Sequence, residues 1–344
     1  MPVLVRPADL VRERKALVCL FQRLLSPQSD EERFEWLYCA GPHGSARAWV
    51  LCESGGHEIF GVAAAFPRRI SFNGNRRLVW VLGDFCLDER YRSLGPALQL
   101  QRACLNGVCV SAGDVCYDFP SERMMAIYNR LSISRTGELV RWAKPLRANR
   151  RIEGIVRFTP LAKAIGAPVG FVLEHIGWKG QANDIRFELF TGRCGEEFSA
   201  LNQQVCSQPG IFTDRSADYL NWRYLCHPAD KYEILTARRT DTLVGYAVFA
   251  TESGQARIVD LCSLNEPPLV AALLAAVSKQ VKPRGVETLS LNAGDAHPWA
   301  SVLERAGFRR RESAPVVALE SPTRGCFQSK HLPAWYLMHG DRES

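Results

Sequence analysis

The order of the predicted secondary-structure elements is repeated along this chain, and this repeat constrains the fold more than any single motif does. Hydrophobic periodicity over residues 1–146 predicts the order β-α-α-β-β-β-α-β-α-β. From residue 184 the same order begins again, with a helix predicted over residues 268–281 and a last strand near residues 316–319. The chain is therefore predicted to contain a repeat at the level of the fold, without obvious sequence identity between the copies.

Three consecutive strands in the first copy are predicted over residues 46–52, 59–66 and 78–87. The turns between them, "ESGGHE" and "FNGNRR", are short and rich in glycine and asparagine, which is typical of antiparallel neighbours. A helix is predicted to begin at Gly95, followed by a strand in "DVCYDF" and a helix in "SERMMAIYNRL".

These patterns predict an α/β (α+β) protein of two tandem domains, each with a mixed, mostly antiparallel sheet flanked by helices. The predicted domains span residues 1–146 and 184–325. A partly helical connection over residues 147–183 joins them, and residues 326–344 form a tail. A length of 344 residues fits two domains of ordinary size.

Composition narrows the class of protein. The chain is 47% hydrophobic and 23% charged, as in globular proteins that bury a core. The apolar run at residues 269–277 is much shorter than the roughly 18 residues that a membrane span needs, and the start of the chain has no secretory-signal pattern. We therefore expect a cytoplasmic protein without a membrane span. Twelve scattered cysteines without a C-x-x-C pair predict buried, reduced thiols.

Arginine carries most of the net charge of +7, often in doublets such as Arg68-Arg69 and Arg76-Arg77. An excess of this size suits an anionic small ligand or an acidic partner and does not require nucleic acid. Most of these arginines are expected to be solvated. The seven histidines are scattered and the sequence has no H-E-x-x-H, so we predict no metal site.

A glycine-containing turn, "RSLGPA" at residues 92–97, follows the apolar strand "VWVLGDFCL" and opens the next helix. Free N–H groups at a helix start favour an anion, and Gly95 lets a ligand approach the backbone. With the order of elements, the turn resembles the [R/Q]-x-x-G-x-[G/A] motif of the GCN5-related N-acetyltransferase (GNAT) family, whose amides bind the pyrophosphate of coenzyme A. Pro96 departs from the usual pattern because it removes one amide.

A second motif of the same family, l-Y-e-k-x-G-F, is divided between the two copies. Residues 127–133 keep the tyrosine as Tyr128, whereas residues 302–308 keep Gly307-Phe308 and have Leu303 in place of the tyrosine. The resemblance implies that an acyl-CoA is the co-substrate and that Tyr128 protonates the departing thiolate. It implies contacts to the donor from Phe85, Cys86, Leu87, Arg92, Ser93, Leu94, Gly95, Ala97 and Ser121.

The second copy lacks the phosphate turn. Its sequence there is "LNEPPLVAALL", in which the Glu266 carboxylate repels phosphate and two prolines remove amides. We therefore predict that only the first copy binds coenzyme A.

Acyl transfer to an amine is helped by a general base, because most amines are protonated at neutral pH. Asp84 is the first candidate because it interrupts an apolar run, with Asp88 and Glu89 close by in sequence. Asp118, at the mouth of the fifth strand, is the second candidate. Backbone N–H groups around residues 85–87 are expected to bind the oxyanion.

The function implied by the resemblance is N-acylation, in the simplest case N-acetylation, of a primary amine. The segment "YLNWRYLCHP" resembles segments of GNAT-like proteins from bacterial polysaccharide and cell-envelope loci, which suggests an amino sugar as acceptor. Three alternatives stay open: a donor on acyl carrier protein that uses the arginine patches, a Fem-like aminoacyl transferase, and a non-catalytic scaffold. The sequence allows a monomer or a homodimer.

Overall fold

A computed structural model describes residues 3–56, 58–110, 114–147, 184–320 and 335–343. The first repeat comprises β1 (Val3–Pro7), α1 (Arg14–Leu24), α2 (Glu31–Phe34), β2 (Arg47–Glu53), β3 (Ile59–Phe72), β4 (Asn75–Leu87), α3 (Leu94–Val108), β5 (Val115–Asp118), α4 (Glu122–Arg130) and β6 (Gly137–Pro145). The second repeat comprises β7 (Ile185–Phe190), α5 (Glu196–Cys206), β8 (Ile211–Thr213), α6 (Ala217–Leu220), β9 (Glu233–Arg239), β10 (Thr242–Glu252), β11 (Gln255–Ser263), α7 (Pro267–Val281), β12 (Thr288–Gly294), α8 (Ala300–Arg305) and β13 (Arg309–Glu320). The predicted order is confirmed, with β8 as an addition.

The described strands form one mixed sheet in the order β1-β2-β3-β4-β5-β13-β6-β12-β11-β10-β9-β7, with β8 paired to β3. Most neighbours are antiparallel, whereas β4 with β5 and β11 with β12 are parallel. The repeats exchange their last strands, because β13 pairs with β5 and β6 pairs with β12. The mostly antiparallel sheet is as predicted. The division of the chain at residues 146 and 184 stays a prediction.

Two strands are longer than the sequence predicts. β3 was expected to end at residue 66 but continues to Phe72, and β13 begins at Arg309 instead of near residue 316. Both extensions contain arginines, most of which the sequence predicts to be solvated. In the folded chain the β3 extension pairs with β4 and β8, and Arg68 within it is buried against the Trp222 ring. Cross-strand pairing therefore overrides the polar composition.

Helices cover both faces of the sheet. On one face, α3 with α4 and α7 with α8 each cover a separate hydrophobic cluster. On the other face, α1, α2, α5 and α6 bury one cluster that contains residues of both repeats. The two repeats therefore share a core. Residues 148–183, which include most of the predicted connection, lie outside the described residues.

A short sequence identity underlies the repeat, and the order of elements alone did not reveal it. A π-helical turn follows α2 at Glu35–Cys39 and another follows α6 at Asn221–Leu225. Each contains Trp-x-Tyr, as Trp36 with Tyr38 and Trp222 with Tyr224. β4 and β11 likewise share Asp-x-Cys three residues before the strand ends.

Two expectations about side chains have exceptions. Arg68, Arg215 and Arg223 are buried rather than solvated, because aromatic rings and carboxylates surround them. Cys19 and Cys226 are exposed, although most of the other described cysteines are buried, and no described cysteine forms a disulfide. In the part of the chain that the structure describes, no helix is long and apolar enough to cross a membrane. No described group of His, Cys, Asp and Glu side chains is arranged to hold a metal ion.

Candidate active site

A cleft of about 510 Å³ opens where two parallel strands separate. β4 and β5 pair at Trp80 with Cys116 and at Val81 with Tyr117, and β4 then continues to Leu87 without β5 beside it. The side of β4 that faced β5 thus becomes a wall of the cleft. Residues 82–87, 92–94 and 118–121 line it, together with parts of α4 and Glu343.

Three carboxyl groups lie at this cleft: Asp84 on β4, Asp118 at the end of β5, and Glu343 near the end of the chain. Two of them were predicted as general-base candidates, and the structure brings those two to one cavity. Asp88 and Glu89 lie outside the cleft lining, because Asp88 instead caps a short 3₁₀ turn and pairs with Arg23 and Arg90.

Both oxygens of the Asp84 carboxylate accept hydrogen bonds from neighbouring donors. Arg33 Nη2 donates to Oδ1 at 2.8 Å and Nη1 donates to Oδ2 at 2.9 Å, while the Tyr38 hydroxyl donates to Oδ2 at 2.9 Å. Burial and the nearby Asp84 carboxylate hold the pKa of Tyr38 well above its usual value. Asp84 also has a φ of +46°, an uncommon left-handed conformation for a residue other than glycine.

Asp118 belongs to a hydrogen-bonded chain that connects α3, β5 and α4. Gln101 Nε2 donates to the Tyr128 oxygen at 3.1 Å, and the Tyr128 hydroxyl donates to Asp118 Oδ2 at 2.6 Å. Burial raises the pKa of Asp118 to about 7, against the opposing effect of the Tyr128 hydrogen bond. Tyr128 is 0% exposed and lies behind Asp118, so the carboxyl group, not the phenol, lines the cleft.

Glu343 was missed because the sequence places it in a predicted tail. Its backbone is held in the protein: Arg68 Nη2 donates to the Glu343 carbonyl oxygen, and the Tyr117 hydroxyl donates to the carbonyl oxygen of Asp341. A Cβ on Gly83 would lie 2.5 Å from Glu343 Cγ, so the glycine admits this side chain. Burial raises the pKa of Glu343, and its Oε2 finds no hydrogen-bond partner among the described residues.

One sequence signal could have identified this segment. The run "WYLM" at residues 335–338 is aromatic and apolar, which is unusual for a solvated tail. In the structure Trp335, Leu337 and Met338 are buried, and Asp341 pairs with the buried Arg215 at 3.1 Å.

The predicted phosphate turn lies at the rim of the cleft. Arg92, Ser93, Leu94 and Ala97 line it, and Ser93 precedes the first helical residue. A Cβ on Gly95 would contact nothing within 4 Å, so the space beside this glycine is open. Helix geometry leaves the amides of Leu94 and Gly95 without an intrahelical acceptor, whereas the Ser93 amide already donates to Tyr91.

The remaining predicted donor contacts also lie on the walls of the cleft. Phe85, Cys86 and Leu87 form part of the β4 wall. Burial raises the pKa of the Cys86 thiol to about 12, so this thiol is no nucleophile at neutral pH. Ser121 lines the cleft as the N-cap of α4, and its hydroxyl accepts from the Met124 amide at 3.2 Å.

The equivalent place in the second repeat is filled. β11 and β12 pair up to Ile258 with Leu291 and then separate, as β4 and β5 do. The cavity there is only about 20 Å³, with Trp299 and Tyr336 among its lining residues. Glu266 precedes α7 and pairs with Arg239 at 2.8 Å.

Solved structures with a similar fold exist. A protein of Enterococcus faecalis V583 described as a probable N-acyltransferase aligns with a TM-score of 0.66 and 14% identity over 93% of this chain and 73% of its own. A GCN5-related N-acetyltransferase from Anabaena variabilis ATCC 29413 aligns with a TM-score of 0.64 and 13% identity over 93% and 73% of the two chains. The chain has a GNAT fold.

A GCN5-related N-acetyltransferase from Kribbella flavida also shares the GNAT fold, with a TM-score of 0.60 and 11% identity over 92% of this chain and 71% of its own. No protein-family model and no curated protein sequence matches the chain. At these identities the likeness establishes the fold.

Proposed function

We propose that the first repeat is an N-acyltransferase that moves an acyl group, acetyl in the simplest case, from a coenzyme A thioester to a primary amine. The observation that carries this proposal is the cleft between β4 and β5, which joins an open helix start to two carboxyl groups with raised pKa, the buried Asp118 and the half-buried Glu343. Such perturbed groups in a cleft are typical of acid–base sites.

The donor site follows from the start of α3. The open space at Gly95 and the free amides of Leu94 and Gly95 fit a pyrophosphate, and the helix dipole adds to the attraction. Arg92 is half-exposed at the rim, where its guanidinium can pair with phosphate. Pro96 offers no amide, so this site has one donor fewer. When bound, the thioester supplies an activated carbonyl next to β4.

The carboxyl groups divide the proton transfers between them. Glu343 enters the cleft opposite Gly83, and with its Oε2 unpartnered among the described residues it is available to take the proton of the ammonium group. Asp118 lies against α3 and α4 and, with a pKa of about 7, is protonated often enough at neutral pH to donate to the leaving thiolate. Tyr128 then acts through Asp118 instead of protonating the thiolate itself. Backbone N–H groups of residues 85–87 polarise the carbonyl.

One donor site per chain follows from the difference between the repeats. The second repeat has a cavity of about 20 Å³ and a carboxylate before α7 where the first repeat has its open turn. The second repeat serves as a partner in the shared core.

The proposed acceptor is a primary amine. The segment at residues 219–228 that suggested an amino sugar contains the end of α6 and the second π-helical turn, where Trp222 and Tyr224 are buried. The segment lies outside the lining of the cleft and therefore offers no contact there that would select an amino sugar. Amino sugars are tested as one group among the amines of an acceptor screen.

The test is calorimetric titration with acetyl-CoA and with CoA, using wild type, Arg92→Glu and Arg12→Glu. Arg12 is a matched control because its side chain is 88% exposed and pairs with Asp9. We expect one site per chain, lost in the Arg92 variant and kept in the control, and then thiol release with amines. Two sites would refute the role given to the second repeat. No binding would refute the CoA donor and direct the assay to acyl carrier protein and to the scaffold alternative.

A further inference from the structure

We propose that Asp84 is a positioning residue for this site and not its general base. With Arg33 and Tyr38 it holds the bulge of β4, and the bulge aims the backbone of residues 85–87 at the donor carbonyl. This inference rests on the proposed acyltransferase function and concerns the same cleft.

The first observation is that both oxygens of Asp84 already accept hydrogen bonds, so an incoming amine would have to compete with a charged partner for its proton acceptor. Three donors from α2 and the first π-helical turn contact its two oxygens, at 2.8 to 2.9 Å. The side chains of Arg33 and Asp84 are only 17% and 7% exposed. A bidentate arginine pair of this kind fixes geometry more strongly than a single contact.

The second observation is that the same triad recurs in the second repeat. Arg215 Nε donates to Asp260 Oδ1 at 2.7 Å, and the Tyr224 hydroxyl donates to Asp260 Oδ2 at 2.9 Å. The Asp-x-Cys and Trp-x-Tyr identities place Asp260 and Tyr224 at the positions of Asp84 and Tyr38. Arg33 lies on α2, five residues before Tyr38, whereas Arg215 lies just before α6, nine residues before Tyr224. The contact to the aspartate is therefore kept although the arginine occupies a different position.

In the part of the chain that the structure describes, the corresponding strand end of the second repeat has too little space for a base and its substrate. Its cavity is about 20 Å³, and its helix start carries Glu266 and prolines. A general base would serve no purpose there, yet the carboxylate, the arginine and the tyrosine are all present. Their shared role is therefore architectural.

Both aspartates lie at a register shift of their strand, Asp84 within the shift and Asp260 directly after it. β4 shifts register against β3 between the pairs Gly83–Ala64 and Cys86–Val62. β11 shifts against β10 between the pairs Asp260–Val248 and Ile258–Phe249. A bulge re-aims the residues beside it. In the first repeat these are residues 85–87 on the wall of the cleft.

The backbone conformation of Asp84 is energetically unfavourable, because a φ of +46° is disfavoured for a residue with a Cβ. The bonds to Arg33 and Tyr38 hold this conformation. Glycine adopts it freely, whereas alanine does not. This difference separates a backbone role from a proton-transfer role.

The experiment compares Asp84→Asn, Asp84→Gly, Asp84→Ala and the double variant Arg33→Gln/Asp84→Asn with wild type. Three quantities are measured for each protein. Calorimetry gives the acetyl-CoA affinity, steady-state assays give kcat and KM across pH 6–9, and thermal unfolding gives the stability. We expect Asp84→Asn to keep kcat within about tenfold of wild type with an unchanged pH profile. Loss of a base costs roughly 100-fold or more. We expect Asp84→Gly to bind donor several-fold more tightly than Asp84→Ala.

The double variant should be more active and more stable than Asp84→Asn alone, because the single change leaves the Arg33 charge uncompensated. Removing Arg33 cannot restore a missing base. Tyr38→Phe and Tyr224→Phe form a matched pair: both should lower the unfolding temperature, but only Tyr38→Phe should weaken donor binding.

The proposal is overturned if Asp84→Asn and Asp84→Gly bind donor and unfold like wild type but lose turnover at least 100-fold, with no rescue by the double variant. That result makes Asp84 the base. Failure of the proposed function has a different appearance, because wild type itself then neither binds acetyl-CoA nor releases thiol.

Discussion

Trp36 and Trp222 exchange hydrogen bonds across the junction of the two repeats. The indole N–H of each donates to the backbone carbonyl oxygen of the other, both at 2.8 Å, and the rings stack with centroids 4.9 Å apart. Arg223 lies over the Trp36 ring and Arg68 over the Trp222 ring. The two π-helical turns are therefore joined by a nearly symmetric contact in the shared core.

This symmetry predicts that replacing either tryptophan lowers the free energy of unfolding by the same amount. Trp36→Phe and Trp222→Phe each remove one donor and leave a buried carbonyl oxygen unpaired, so each should destabilise by about 1–3 kcal/mol beyond the loss of ring volume. Urea unfolding measures the change. Trp142→Phe is the control, because Trp142 is buried and its Nε1 has no hydrogen-bond partner among the described residues. A loss in the control as large as in the other two would show that ring volume, not hydrogen bonding, sets the cost.

Asp118 should make the protein less stable as the pH rises. Burial raises its pKa from the ordinary 3.8 to about 7, so the folded state holds a proton that the unfolded state releases. Its stabilising contribution is full below pH 3.8 and is lost as the pH rises through 7. Asp118→Asn should remove this loss, worth on the order of 2–4 kcal/mol at pH 8. The measurement is the difference in unfolding free energy between variant and wild type at pH 4 and pH 8. An equal difference at both pH values contradicts the prediction.

Tyr128→Phe should move the pH dependence of turnover upward. The Tyr128 hydroxyl stabilises the ionised form of Asp118, so its loss raises the pKa of that carboxyl group further. A pH–rate profile measures the shift. Gln101→Leu, which removes the bond to the tyrosine instead, should shift the profile less. If Tyr128 protonated the thiolate directly, Tyr128→Phe would lower kcat without moving the midpoint.

Glu343→Gln should separate donor binding from turnover. Acetyl-CoA affinity should stay near that of wild type, while kcat falls roughly 100-fold, the lower end of the range for losing a positioned acid or base. Gly83→Ala should have a similar effect on kcat, because its methyl group would displace the Glu343 side chain. Glu122→Gln, 84% exposed on α4, is the control and should leave both quantities unchanged. Unchanged turnover in Glu343→Gln would remove this residue from the mechanism.

Asp341 should be required to hold the final segment in place. It shares the buried Arg215 with Asp260, at 3.1 and 2.7 Å from the respective guanidinium nitrogens. Asp341→Asn should destabilise by about 1–3 kcal/mol, because Arg215 keeps Asp260 but loses its charged partner in the final segment, and it should lower kcat because Glu343 is two residues away. Denaturant unfolding and turnover test both effects against the exposed control Asp241→Asn. A stable variant with normal kcat would show that the segment is held by its backbone contacts alone.

Local patterns identified much of this protein in advance. The element order, the antiparallel strands of each repeat and the helix start at residues 92–97 depend on periodicity and turn chemistry within a few residues. Asp84 and Asp118 were selected because each is a carboxylate at the end of an apolar strand, and both do lie at the cleft. The sequence did not show that the surroundings of the two carboxylates differ, because Arg33, which pairs with Asp84, is 51 residues away from it in sequence.

The sequence by itself determined the repeated order of elements and the location of the glycine-containing helix start at residues 92–97, because these follow from interactions between neighbouring residues. Tertiary structure decided the rest. It exchanged β6 and β13 between the repeats, paired Asp84 with Arg33, and brought Glu343 into the cleft beside Arg68, 275 residues away. Each of these contacts depends on burial and charge pairing between distant segments, which exist only once the shared core has formed.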